Sequence, residues 1–255
     1  MTYAARALSL TALPDIPMVS PGDDLARLLA DALARVGVAP APGDVLVLAQ
    51  KIVSKAEGRA LPLAGIEPSA AAIDIAARAD KDPRLVELIL SEADEVMRVR
   101  PGVIIVRHRL GLVLANAGID HSNVDGDEVA LLLPCDPDAS CATLRARLRE
   151  RTGADFAVVI IDSLGRAWRN GTVGTAIGAS GLPGLLDLRG QPDLFGRPLR
   201  TSELGYADEI AAAASLLMGQ ADEGLPAVLL RGLPAPTRDG SAAELVRDRA
   251  LDLFP

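Results

Sequence analysis

The residues best suited to chemistry lie where apolar runs stop. The continuous, β-branched run VLVLAQKIV from Val45 passes into AQKIVSKAEGR, in which Lys51, Lys55 and Arg59 recur at intervals of four beside Ser54 and Gly58. Three cations at one strand end suit an anion: lysine ammonium groups act as point charges on phosphate oxygens, and a glycine lets the backbone come close. A solvated helix start, paired with Glu57, is the plainer reading of the same spacing. Two further strands end in carboxylates. Asp120 closes LVLANAGID, and Asp162 closes AVVIID and is followed by Ser163. Such strand ends can converge on one crevice. Carboxylates and a hydroxyl, with few imidazoles, are the hard-oxygen donors that Mg2+ or Mn2+ prefer. Equally, an Asp after a strand is a common turn or cap residue.

Several chemistries are excluded. There is no G-x-x-x-x-G-K-[ST] and no G-x-G-x-x-G; the nearest string, GTVGTAIGASG from Gly171, has different spacing and reads as a glycine loop or a closely packed strand at least as well as a ligand cradle. Asn123, Asp125 and Asp127 in DHSNVDGD fail the calcium-loop pattern and leave an acidic turn in which His121 is most simply a surface residue. Two histidines, His108 and His121, rule out multi-His metal sites. Cys135 and Cys141 are too few for a disulfide scaffold and read as two small buried hydrophobes.

The elements that must hold these residues follow from periodicity. The chain has 255 residues, 49% hydrophobic but only 2% aromatic, so its core is built from Ala, Leu, Val and Ile. A net charge of -8 disfavours nucleic acid or anionic lipid as a partner. No apolar run reaches roughly 18 residues and the N-terminus lacks a signal-peptide pattern, so a cytoplasmic protein without a membrane span is expected. Helices are expected from Ser20 to a stop at Gly37, over 68–80, over 81–92, over 137–151 with its arginines on a wet face, over 207–220 with Leu217 inward, and from a Ser241/Glu244 capping box to Leu253. VIIVRH and LVLANAGID read as a hairpin turning at Gly111, AVVIID as a buried strand and AVLLRGL as one more. The glycine-rich stretch 165–196 reads as loop. Strands and helices interleave, giving one mixed α/β unit over residues 1–255.

Taken together and in order, ALPDIP, AQKIVSKAEGR, ANAGIDHSNVDGD, IIDSLGRAWRNGTVGTAIGASG and ADEIAAAASLLMGQADEG resemble the coenzyme F420-0:L-glutamate ligases, or gamma-glutamyl ligases, across nearly the whole chain. The resemblance implies an unusual mixed-sheet α+β fold, an intertwined homodimer and a GTP-dependent enzyme with two divalent ions, Mg2+ or Mn2+, leaving a role for K+ open. It puts metal ligation on Asp120 and Asp162, with Ser163 and Gln220 serving a second ion, and catalytic work on Asp120, Asp162 and Lys55. Nucleotide contacts fall on Leu13, Pro14, Asp15, Ile16, Gln50, Lys51, Lys55 and Asn123, and on Met218, Gly219, Gln220, Ala221, Asp222, Glu223, Gly224 and Leu225. The substrates it implies are GTP, L-glutamate and the deazaflavin F420-0. The nitroreductase domain fused to some relatives has no room in 255 residues. A metal-dependent phosphohydrolase on the same aspartates, or a GTP-binding regulatory module, are the competing expectations.

Overall fold

The computed structural model describes residues 6–120, 128–234 and 238–252. In chain order its strands and helices are β1 (Ser9–Ala12), α1 (Leu25–Arg35), β2 (Val45–Ala49), α2 (Gln50–Ala56), β3 (Ala60–Pro62), α3 (Ala70–Ala79), α4 (Pro83–Ser91), β4 (Ala93–Arg100), β5 (Val103–His108), β6 (Val113–Ala115), β7 (Val129–Leu131), α5 (Pro137–Thr152), β8 (Ala157–Arg166), β9 (Arg169–Ser180), β10 (Leu185–Asp187), β11 (Glu203–Gly205), α6 (Tyr206–Met218) and β12 (Ala227–Arg231). The expected α+β class with mixed sheets is what forms.

The central sheet has the order β1-β12-β2-β8-β9, with β2 and β8 parallel and the other pairs antiparallel. Because side chains alternate along a strand, Leu46, Leu48, Val158 and Ile160 enter one core with α1 and α5, while Val45, Val47, Val159 and Ile161 enter a second with α6. That double covering explains why β2 and β8 read as unbroken apolar runs. A smaller lobe packs α3 and α4 on the sheet β4-β5-β6, with the pair β3-β7 beside it. No described helix is long and apolar enough to cross a membrane.

Several expectations are corrected by competition for the same groups. The first helix starts at Leu25, because Ser20 N–H bonds the Asp23 carboxylate in a turn and Asp24 becomes the cap, accepting from Arg27 N–H. The run from Val45 is strand only to Ala49; its QKIV portion turns helical, burying Ile52 and Val53. Strand β4 was not foreseen: charged, at a sheet edge and interrupted by register shifts, it carries no clean alternation. Asp120 lies beyond a three-residue strand and a 3-10 turn, not at a strand end.

The stretch 165–196 is largely strand, since β9 runs for 12 residues inside it. Leu217 is exposed, one position off the stripe formed by Ile210, Ala214 and Met218. The capping box does not form: Glu244 is held by Arg238 and by Leu185 N–H, and among the described residues only 3-10 turns at Ala242–Leu245 and Arg249–Leu251 follow. The α5 arginines are not merely solvated, for Arg145 pairs with Asp155 and Asp239, and Arg147 and Arg151 with Asp24. Cys141 is buried as expected, but Cys135 is exposed.

Candidate active site

Parallel pairing sets the carboxyl end of β2, Ala49, opposite Ile161. Strand β8 does not stop at Asp162, as expected of AVVIID, but runs on to Arg166 because β9 continues to pair with it, so Asp162 and Ser163 lie within the strand, just past the end of β2. The next residues, Gln50 and Lys51 on α2 and Asp162 and Ser163 on β8, therefore emerge at one edge of the sheet, the position where open α/β sheets place their ligands. Asp120 reaches the same edge from the smaller lobe. Asn116 and Ala117 adopt left-handed conformations that turn the chain, and Asp120 is then fixed by two 2.9 Å backbone hydrogen bonds with Leu131. The side chains join: Lys51 Nζ lies 3.1 Å from Asp120 Oδ2. Gln50 Nε2 approaches the same oxygen at 3.5 Å, while the buried Ser54 hydroxyl donates to Gln50 Oε1 at 2.8 Å and so sets which way the amide faces.

Gln50, Lys51, Asp120, Asp162 and Ser163 line a cavity of about 790 Å³, large enough for a nucleotide-sized ligand. Lys55, Ile16, Thr172 and the whole loop from Met218 through Gln220, Ala221 and Asp222 to Leu225 share its wall. The loop keeps its shape internally. Glu223 folds back to accept from Ala221 N–H at 2.8 Å, and it lies so close over Gly219 that a Cβ there would stand 2.0 Å from its carboxyl carbon.

Charge is unbalanced in this wall: Asp120, Asp162, Asp222 and Glu223 face only Lys51 and Lys55 among the described residues. Loss of water raises the Asp162 carboxyl to about 6; the Ser163 backbone N–H pulls it down, the Asp120 charge adds to the rise, and Lys51 offsets part. Two nearby carboxylates with a hydroxyl beside one of them are a hard-oxygen set that a divalent cation would relieve, so the residues fit the metal expected of them. Among the described residues no group of three or more His, Cys, Asp or Glu forms a fuller metal cluster.

Not every expected residue reaches the cavity. Arg59 is drawn away, its guanidinium 2.8 Å from Glu92 and donating to Leu133 O, which leaves Lys51 and Lys55 as the cationic pair. Leu13 is fully buried in the core, and Pro14 and Asp15 lie outside the lining, with Asp15 O accepting from Arg35. Asn123 and His121 lie outside the described residues. Conversely, Ser54 stands out in the sequence only as a neighbour of lysines, and its four-residue spacing from Gln50 on a helix is the signal of its contact with that amide. The glycine string from Gly171 is a packed strand, with Gly174 and Gly178 against helices.

Comparison with known families places the chain. The family model for F420-0:Gamma-glutamyl ligase matches residues 15–232. The chain belongs to the F420-0:gamma-glutamyl ligase family. Its relatives include the coenzyme F420:L-glutamate ligase of Methanothermobacter thermautotrophicus, 49% identical over 97% of this chain and 98% of that protein. The enzyme of the same name from Methanopyrus kandleri is 49% identical over 92% of the chain and 93% of its own length. That of Archaeoglobus fulgidus is 43% identical over 94% and 93%. The matched region contains every charged cavity residue named above.

Proposed function

We propose that this chain is a GTP- and divalent-metal-dependent ligase that joins L-glutamate to the carboxylate of F420-0 through an acyl phosphate. The observation that carries the reading is the meeting of Lys51, Asp120 and Asp162 at one cavity edge in a member of the family. The acceptor carboxylate oxygen attacks the γ-phosphorus of GTP, the bond to the β-phosphate oxygen breaks, and GDP leaves. The glutamate amine then attacks the acyl carbonyl and, on losing a proton, expels phosphate to leave the amide. Positioning and charge neutralisation carry most of such chemistry.

Lys51 and Lys55 supply positive charge to the phosphoryl oxygens, and Gln50, oriented by Ser54, steadies Asp120. Asp120, Asp162, Ser163 and Gln220 would hold Mg2+ or Mn2+, which supplies Lewis-acid stabilisation of the transferring phosphoryl group. A pocket with surplus carboxylates would otherwise repel a triphosphate. A homodimer is part of this reading.

Incubation with GTP, Mn2+, L-glutamate and F420-0, followed by mass analysis, should yield a glutamyl increment and GDP. GDP formed at an equal rate without acceptor and glutamate would favour a phosphohydrolase, and saturable GTP binding without turnover a regulatory module. Calorimetry with a chelator should weaken GTP binding; equal affinity in both samples would remove the metal bridge.

A further inference from the structure

The tip of the β8-β9 hairpin carries a feature that the ligase reading does not use. Leu164 and Gly165 on β8 and Thr172 on β9 line the cavity, and Gly165 pairs with Thr172. The next rung outward pairs Arg166 with Arg169, and Ala167 and Trp168 make the turn. Trp168 is 90% exposed, although it is the single tryptophan of the chain and aromatics make up only 2% of it. It also holds φ at 62°, a left-handed conformation that a bulky L residue rarely adopts. The turn is stapled in that shape by Arg166, whose guanidinium donates to Asn170 O at 3.3 Å. An unburied indole on a strained backbone forgoes stability twice at one residue, and strain of this kind collects at ligand clamps. With a strand rise of about 3.3 Å per residue, three residues from Gly165 bring Trp168 to within roughly 10 Å of the cavity wall.

We propose that Trp168, with Arg166 and Arg169, forms a subsite at the cavity mouth for the flat conjugated ring of the carboxylate-bearing acceptor. This rests on the ligase reading, in which the acceptor is a deazaflavin. An indole face stacks on such a ring, and two guanidinium groups suit an anionic ring compound. The guanine of GTP is a weaker candidate, because it is neutral and its phosphates have Lys51 and Lys55 deeper in the cavity.

A sole tryptophan makes the test direct. The full-length chain is titrated with F420-0 while indole emission is read, with free N-acetyltryptophanamide as the control for light absorbed by the ligand. Saturable quenching beyond that control is expected. Trp168→Ala should raise the acceptor KM about tenfold and leave the KM for GTP and L-glutamate unchanged, and Trp168→Phe should recover most of the loss. An unchanged melting temperature confirms that the variants fold, as the exposure of Trp168 leads one to expect. A wild type that turns over with flat emission, or a Trp168→Ala variant with the wild-type acceptor KM, overturns the subsite. Quenching by GTP alone reassigns the tip to the nucleotide, and emission that follows protein dilution but not F420-0 reassigns it to an interface between copies; both overturn it. Absence of any glutamyl product from the wild type refutes the ligase reading separately, and the F420-0 titration then still decides the subsite.

Discussion

Asp162 stands where a buried strand opens into the cavity, and its carboxyl is lifted to about 6 chiefly by the loss of water around it, with Asp120 adding repulsion. Two carboxylates that repel one another contribute little to stability, and in the proposed function a hard cation would relieve them. Asp162→Asn keeps the shape and removes the charge. We expect glutamyl transfer to fall by two orders of magnitude or more, on the scale of roughly 3 kcal/mol for losing a key electrostatic group, while the melting temperature moves little. Measuring both on one preparation separates a metal ligand from a turn residue, since an active variant with normal metal dependence would end the catalytic assignment. That Lys51, Lys55, Asp120 and Asp162 share one cavity was legible in the sequence because charge follows apolar runs there, although only β2 ends where its apolar run turns polar, with Asp162 inside β8 and Asp120 beyond a 3-10 turn. The departure of Arg59 was not, because its partner Glu92 belongs to another lobe and no local spacing announces it.

At the scale of elements, β9 holds the site together by letting two helices approach it. A Cβ on Gly174 would stand 2.5 Å from Ala211 O and 2.6 Å from Ser215 Cβ on α6, and one on Gly178 would stand 2.5 Å from Pro137 O on α5. Gly174→Ala must therefore push α6 outward, and the loop from Gly219 to Leu225 that follows α6 with it. Overpacking of this kind costs about 1–3 kcal/mol. At roughly 2–4 °C per kcal/mol for a chain of this size, calorimetry should show a clear drop in melting temperature. Gly165→Ala is the control: its Cβ meets nothing within 4 Å and its backbone is not left-handed, so its melting temperature should stay at the wild-type value. The glycines that serve this packing are also why 165–196 read as loop, for a residue type that weakens strand propensity was retained for clearance. By contrast α1 and β2 were legible, because the apolar stripe of α1 faces one core and the unbroken apolar run of β2 is covered on both faces.

The molecule as a whole depends on a buried charge centre that joins its lobes. Glu92, at the end of α4, takes Arg59 at 2.8 Å from the segment leaving α2, Arg109 at 3.2 Å, and His108 at 3.4 Å from β5. The proton of His108 faces Glu92 from Nε2, because Nδ1 accepts from Leu110 N–H. Arg59 and Arg109 also donate to Leu133 O and Cys135 O, tying α2, which carries Lys51, to the lobe that delivers Asp120. Burial alone would raise the Glu92 carboxyl, but the close approach of His108 and Arg59 and the charges of Arg59 and Arg109 outweigh it and hold it at about 2, below its ordinary 4.5. A depressed folded value stabilises the fold above about pH 4.5, and that contribution is lost as pH falls toward 2, with a limit on the order of 3 kcal/mol. Glu92→Gln should therefore lower the urea midpoint at pH 7, leaving the part-buried Arg59 and the more exposed Arg109 without their counter-charge. The gap from wild type should narrow steadily between pH 4.5 and the acid limit of folding. Midpoints measured at half-unit steps check this, and two curves that stay parallel through the window would mean that the Glu92 carboxylate is not what ties the lobes together.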